Sequence, residues 1–183
     1  KVTGYDDPGC VMHEAFRQWV IEDDFVDGRP TWEAAGAQLV TSVEAHEAMK
    51  LRCLNGTHST LAYLGYLAGY DTIADCVADP SFAALCTHLW QAEITPVVGH
   101  PDGEDLHAYC AALRKRYRDP SIRHRTWQIA MDGSQKLPQR ILGTIQDNLA
   151  VGRMPYGLCL CVAAWMRYVG GIDESGATID VRD

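Results

Sequence analysis

The sequence lacks several features that would place it in a large functional class. No G-x-G-x-x-G loop follows a predicted strand, so these 183 residues contain no phosphate-binding turn of a dinucleotide fold. No apolar run approaches the ~20 residues of a membrane span, and the polar N-terminus with Asp6, Asp7 and Pro8 is unlike a signal peptide. The formal net charge of −8 argues against nucleic acid, whose binding needs clustered positive charge. We therefore expect neither a membrane nor a nucleic acid as partner.

Cysteine is present, but not in the pattern of a metal site. The count of seven is odd, and most of the cysteines lie in apolar stretches that are predicted to be helical. This is typical of small core residues in a reducing compartment, so we expect a cytoplasmic protein. These core candidates are Cys53, Cys76, Cys86, Cys110, Cys159 and Cys161. The pairs Cys86-Thr-His88 and Cys159-Leu-Cys161 lack the C-x2-C and H-x3-H spacings of zinc sites, and we predict no metal.

The residues that are present predict a mainly helical protein. Hydrophobic residues make up 47% of the chain, which suits one globular domain with an appendage. Residues 11–21 predict a short strand without a partner strand, and residues 27–30 predict a turn. From Thr31 onward nearly every segment has helical periodicity. The expected helices cover residues 43–70, 71–77, 80–95, 104–118, 138–149 and 158–169, and residues 176–181 are expected to form a short strand or an extended tail.

The segment 43–70 places polar side chains among apolar ones. At about 100° per residue, one half of this helix carries three leucines and four polar residues. The leucines are Leu54, Leu61 and Leu64, and the polar residues are Glu47, Lys50, Asn55 and His58. Arg52, Ser59 and Tyr63 fall on the opposite side. Two interpretations fit this pattern: a polar network that orients helices, or an active site with a lysine base, an asparagine donor and a histidine that holds substrate.

Three sequence blocks resemble the mannitol dehydrogenase family, whose members are long-chain, metal-independent polyol and uronate dehydrogenases. The first block is K-L-R-C-L-N-G-T-H-S at residues 50–59, followed by L-A-Y-L-G-Y-L-A-G-Y at 61–70. The second is H-R-T-W-Q-I-A-M-D-G-S-Q-K-L-P-Q-R at residues 124–140, and the third is F-R-Q-W-V-I-E-D-D-F at 16–25. Within the family the uronate branch, which interconverts D-fructuronate and D-mannonate with NAD, is the most similar. Mannitol or arabinitol 2-dehydrogenase is the alternative.

The resemblance implies roles for the residues of the first block. Lys50 is the general base in alcohol oxidation and the general acid in reduction, which requires a lysine whose pKa burial draws towards neutrality. Asn55 helps to form the oxyanion site, and His58 orients the substrate. Glu47 lies one turn before Lys50. It is either a proton relay to solvent or an ordinary i,i+3 surface pair.

The second block carries the remaining substrate-binding candidates. Lys136 matches the family's second substrate-binding lysine. Gln128 stands where polyol-specific members have an arginine, and this departure favours the uronate branch. A substrate carboxylate needs a cation, for which Lys136, Arg125 and Arg140 are the candidates.

The resemblance also implies a domain organisation. It predicts a multi-helical C-terminal domain, similar to that of 6-phosphogluconate dehydrogenase, at residues 31–183, truncated at its C-terminus. Residues 1–30 are then the tail of a missing N-terminal Rossmann domain, which binds most of the NAD and is the chain's natural partner. The isolated chain is expected to be inactive. The alternative from another class is a stand-alone helical binding module that keeps these motifs for packing.

Overall fold

The computed structural model describes Gly4, Pro8, Gly9 and Phe16–Asp183. The predicted class is confirmed, since the described residues are mainly helical and a short strand precedes the helices. The chain divides into two compact units, residues 1–43 and 44–183. The first unit extends past the expected boundary at Pro30 because a second strand follows that proline. No described helix is long and apolar enough to cross a membrane.

The N-terminal unit contains two parallel strands, β1 (Val20–Glu22) and β2 (Gln38–Val40), in the register Ile21 to Leu39. The prediction that the first strand lacks a partner in this chain was therefore wrong. Of the predicted strand, residues 11–15 lie outside the described residues, and Phe16–Trp19 are not in regular structure. β2 escaped detection because its three residues are too short to show period-two alternation.

The second unit consists of helices whose bounds largely match the predicted segments. They are α1 (Glu44–Met49), α2 (Thr57–Leu67), α3 (Ile73–Ala78), α4 (Pro80–His88), α5 (Leu106–Tyr117), α6 (Thr126–Ile129), α7 (Gly133–Leu137), α8 (Gly143–Ala150) and α9 (Tyr156–Val169). Side chains cap three of them in the usual way. The oxygens of Thr72, Asp79 and Asp105 accept hydrogen bonds from the backbone N–H groups of Asp75, Ser81 and His107 at 3.2, 2.7 and 2.8 Å.

Three π-helical segments join consecutive α-helices into longer continuous ones: Lys50–Gly56, Leu89–Ile94 and Pro138–Leu142. Pro138, expected to open a helix, lies instead inside one that runs from Gly133 to Ala150. The break falls earlier, at Asp132, whose backbone is left-handed with φ 56°. Proline has no N–H to donate, and the i→i+5 pattern of a π turn accommodates such a residue within a helix.

The core of the second unit surrounds α2. Leu61, Ala62 and Tyr63 are buried there, and α2 packs against α6 and α9. The Tyr63 hydroxyl donates to the carbonyl oxygen of Ala130 at 3.1 Å. The expected core position of the cysteines is confirmed for Cys53, Cys76, Cys86, Cys110 and Cys161, whereas Cys159 is half-buried. Residues 176–181 form an extended tail with one isolated bridge between Ile172 and Thr178.

Candidate active site

The first π segment sets the positions of Lys50 and Asn55. It lies in the continuous helix from Glu44 to Leu67, and both residues belong to it. In an α-helix residues five apart point about 140° away from each other. In a π turn the hydrogen bonds run from i to i+5, so residues five apart lie one above the other. The two side chains therefore project from the same side of the helix.

Both side chains are free to contact another molecule. Lys50 is exposed and Asn55 is half-buried. Within the described part of the chain, neither side chain makes a hydrogen bond or an ion pair. Glu47 is also exposed, and among the described residues no ion pair joins it to Lys50. Of the two alternatives for Glu47, the surface pair is thus not formed, and its role as a relay stays a prediction.

The expected burial of Lys50 and Glu47 was wrong. The buried stripe of this part of the helix is His46, Met49 and Cys53, at the i, i+3, i+7 spacing of a core face. Lys50 follows Met49 directly and so points about 100° away from it. The opposite error affects Ser59 and Tyr63, which were expected to face away from the leucines and are buried, because every residue from Thr57 to Tyr63 is buried on this central helix. For Lys50 a uniform helical wheel fails because the angle per residue changes across the π turn.

His58 is buried beside two other rings. It is stacked on Tyr117, with ring centroids 5.4 Å apart and an interplanar angle of 13°, and it lies 5.1 Å from the ring of His124. Burial, together with the charges of His124, Arg140 and Arg116, lowers the pKa of His58 to about 3. The imidazole is therefore neutral at pH 7. Its Nε2 atom has no hydrogen-bond partner among the described residues, so it can bind a hydroxyl group.

The substrate-binding candidates of the second block differ in their exposure and contacts. Arg125 and Gln128 are exposed at α6, and Arg125 lines a hollow of about 560 Å³ together with Arg123 and Trp127. The Lys136 Nζ donates to the carbonyl oxygen of Met131 at 2.6 Å and lies 3.4 Å from the Asp132 carboxylate. In the described part of the chain, no hydrogen bond, ion pair or ring contact joins these residues to Lys50, Asn55 or His58.

Other residues of the same region were not singled out from the sequence. His124 and Tyr117 flank His58, and the Tyr117 hydroxyl donates to the carbonyl oxygen of Leu54 at 2.7 Å. Arg140, considered only as one of three carboxylate candidates, donates from Nη1 to the hydroxyl of Ser59 at 3.2 Å. His124 is the first residue of the second block, and the presence of a second histidine in a family motif could have identified it as a site candidate from the sequence. No periodicity within α5 could show that Tyr117 stacks on another helix.

The described residues include no phosphate-binding loop for a dinucleotide. Gly65 lies within α2, where an added Cβ would meet the sulfur of Cys76, and Gly69 ends that helix with a φ of 84°. Neither forms the glycine-rich turn between a strand and a helix that holds a pyrophosphate. The described residues also contain no cluster of three or more His, Cys, Asp or Glu side chains with the arrangement of a metal site.

Comparison with known proteins identifies the family. The profile of the mannitol dehydrogenase C-terminal domain matches residues 42–183, which include the whole second unit. D-mannonate oxidoreductase of Escherichia coli K12 is 54% identical over 98% of this chain, and a mannitol dehydrogenase of Saccharomyces cerevisiae is 41% identical over 98%. The chain spans 37% and 36% of the lengths of these two relatives.

A solved structure agrees with the sequence relatives. Mannitol 2-dehydrogenase of Pseudomonas fluorescens, in a ternary complex with NAD and D-mannitol, matches with a TM-score of 0.85 and 38% identity. The match covers 92% of this chain and 34% of that one. The sequence profile, the relatives and the solved structure all lead to one conclusion: this chain belongs to the mannitol dehydrogenase family.

Proposed function

We propose that the full-length protein is a cytoplasmic, metal-independent oxidoreductase that interconverts D-fructuronate and D-mannonate, with NAD as the hydride carrier. The observation that carries the proposal is a pair of side chains without partners among the described residues, Lys50 and Asn55, one π turn apart on the helix that also carries the buried neutral His58. The 54% identity to D-mannonate oxidoreductase supports the substrate. The free thiols of the described cysteines support a reducing compartment.

Each residue has a defined task at the alcohol carbon. Lys50 takes the hydroxyl proton in oxidation and returns it in reduction. Asn55, on the same side of the helix, donates an amide hydrogen to the oxygen as negative charge develops there. His58 stays neutral and binds a neighbouring hydroxyl through Nε2. Glu47 passes the proton between Lys50 and solvent, and Lys136, Gln128 and Arg125 line the path of the substrate.

The nicotinamide cofactor is assigned to a part of the protein outside this chain, because no loop here is built to bind its phosphates. Under this proposal the isolated chain is inactive. Mannitol oxidation is the second candidate, supported by the structural match to mannitol 2-dehydrogenase. Gln128, at the position of the polyol-specific arginine, favours the uronate substrate.

Replacement of Lys50 tests the proposal in the full-length enzyme. We expect Lys50→Ala to lower kcat for D-mannonate oxidation by ~10²–10⁴-fold while KM changes little, because a general base acts in the transition state. The parent should oxidise faster and reduce more slowly as the pH rises, since oxidation needs the free amine and reduction the protonated one. The alanine variant should lose this opposed dependence.

The control is Lys115→Ala, which removes an exposed lysine from the end of α5. It should keep both the rate and the pH profile of the parent. If Lys50→Ala retains most of its kcat under conditions where circular dichroism shows both proteins folded, Lys50 is not the base.

A further inference from the structure

Arg140 is a half-buried cation without an acidic partner. Its Nη1 donates to the Ser59 hydroxyl at 3.2 Å, while its Nε is buried and has no hydrogen-bond partner among the described residues. No carboxylate forms an ion pair with it in the described part of the chain. Partial burial lowers the pKa of Arg140, which means that the surroundings disfavour its charge. A guanidinium in such a place gains free energy when an anion binds to it.

The position of Arg140 relative to the candidate catalytic residues follows from the helix. Ser59 lies four residues after Asn55, so the two share a face and are separated by about 6 Å along the axis. His58, adjacent to Ser59, is close enough for the charge of Arg140 to lower its pKa. In D-fructuronate the carboxylate lies four carbon–carbon bonds from the carbonyl carbon that is reduced. A substrate with its carbonyl at Lys50 and Asn55 is therefore long enough to bring its carboxylate to the region of Ser59 and Arg140.

The other two cations of the second block are less suited to this task. Lys136 already donates to the Met131 carbonyl oxygen and lies beside the Asp132 carboxylate. Arg125 is exposed and lines a separate hollow that also contains Asp71 and Asp173. Among the described residues, Arg140 is the one of the three with a hydrogen bond to the first block, through Ser59.

We infer that Arg140 binds the carboxylate of a sugar-acid substrate and so sets the preference for a keto-uronate over a neutral ketose. The inference rests on the proposed function, since it assumes that the carbonyl lies at Lys50. The guanidinium offers its second Nη, which makes no hydrogen bond with the described residues, to the carboxylate, and its planar fork sets the direction of that bond. Ser59 holds the other Nη and fixes the plane of the guanidinium.

The test compares D-fructuronate and D-fructose reduction in the full-length enzyme and its Arg140→Gln variant. We expect KM for D-fructuronate to rise roughly 10- to 100-fold, the worth of a charge-assisted hydrogen-bond pair. Its kcat and the kcat/KM for D-fructose should change less than ~3-fold, because the lost contact is remote from the reacting carbon. Arg140→Lys should recover part of the preference, as a point charge without the fork. Arg153→Gln, which changes an exposed arginine in the loop between α8 and α9, should leave both substrates unaffected.

The outcomes separate the inference from the function on which it rests. If the parent reduces no D-fructuronate, the proposed function itself fails. If the parent is active and the Arg140 variants lose both substrates in equal proportion, or retain the parent's KM, the arginine only links helices and the inference is overturned. If Arg140→Gln does not fold, Arg140→Lys replaces it in the test. A raised KM of Arg140→Lys for D-fructuronate then supports the inference, and a KM equal to that of the parent overturns it.

Discussion

The imidazole of His58 lies between the rings of Tyr117 and His124, and its pKa falls to about 3 because it is buried. In an unfolded chain a histidine titrates near 6.5. Between these two values the unfolded state binds a proton that the folded state excludes, so the free energy of unfolding decreases as the pH falls. The stabilisation from a neutral His58 is complete above pH 6.5 and is lost progressively towards pH 3.

We therefore predict that His58→Gln weakens the acid sensitivity of the protein. The parent should lose at most about 3 kcal/mol of unfolding free energy through His58 between pH 6.5 and 4, and the variant should lack this component. Urea denaturation of both proteins at several pH values measures it. His100→Gln, at an exposed position, is the matched control and should follow the parent. Parallel curves for the parent and His58→Gln would show that His58 is charged in the folded state.

The residues of the candidate site could be selected from the sequence, but not their surroundings. Lys50, Asn55 and His58 were selected from spacing and resemblance and lie on one continuous helix, while their roles stay predictions. The exposure of Lys50 could not be foreseen, because a wheel drawn at a constant angle per residue assigns it to the leucine face. The ring of His124 against His58 depends on how α6 packs on α2, which no local pattern encodes.

At the level of the helices, most α segments were predictable, whereas the short α6 and α7 and the π segments were not. Asp79 and Asp105 cap α4 and α5, since their oxygens accept from the first free N–H groups. A π turn has no residue preference that local sequence reasoning can detect. Here the segment 50–56 coincides with close packing, because Gly56 lies against the backbone of the third π segment.

Two glycines in these helices should respond oppositely to alanine. At Gly56 an added Cβ would lie 2.8 Å from the Arg140 carbonyl oxygen, whereas at Gly143 the nearest atoms are 3.7 Å away. Gly56→Ala must displace a backbone, so we expect a loss of about 1–3 kcal/mol in unfolding free energy. Gly143→Ala should be neutral or stabilising by up to ~1 kcal/mol, because alanine favours the helix.

Thermal unfolding of the parent and the two glycine variants measures these effects. Gly56→Ala should melt at a lower temperature than the parent, and Gly143→Ala at the same or a higher temperature. If Gly56→Ala melts at or above the temperature of the parent, the two π segments do not pack as closely as the structure indicates.

For the whole second unit, Glu93 joins elements that are distant in the sequence. It is buried in the second π segment, and its carboxyl oxygens accept the backbone N–H groups of Gly157 and Leu158 at 2.8 Å each. The same carboxyl group lies 2.9 Å from His88 Nε2, and the backbone oxygen of Glu93 accepts from the Asn148 amide at 2.7 Å. One residue thus satisfies donors at the start of α9 and on α8.

Glu93→Gln should therefore destabilise the protein although it preserves the shape of the side chain. The amide has one oxygen, so one of the two N–H groups of α9 would face an NH₂ group. We expect a loss of about 3 kcal/mol in unfolding free energy, measured by urea denaturation. Glu174→Gln, which alters only an exposed pair with Arg167, should cost less than ~1 kcal/mol. A small effect at Glu93 would mean that water can replace its hydrogen bonds.

The hydrogen bonds of Glu93 also bear on the order in which the chain folds. Its partners on α8 and α9 stand 55, 64 and 65 residues away in the sequence. Contacts of such separation form only after the intervening loop has closed, at a cost in chain entropy that local helix formation does not incur. We therefore expect α9 to dock late and cooperatively, and its amides should exchange hydrogen together with those of the second π segment.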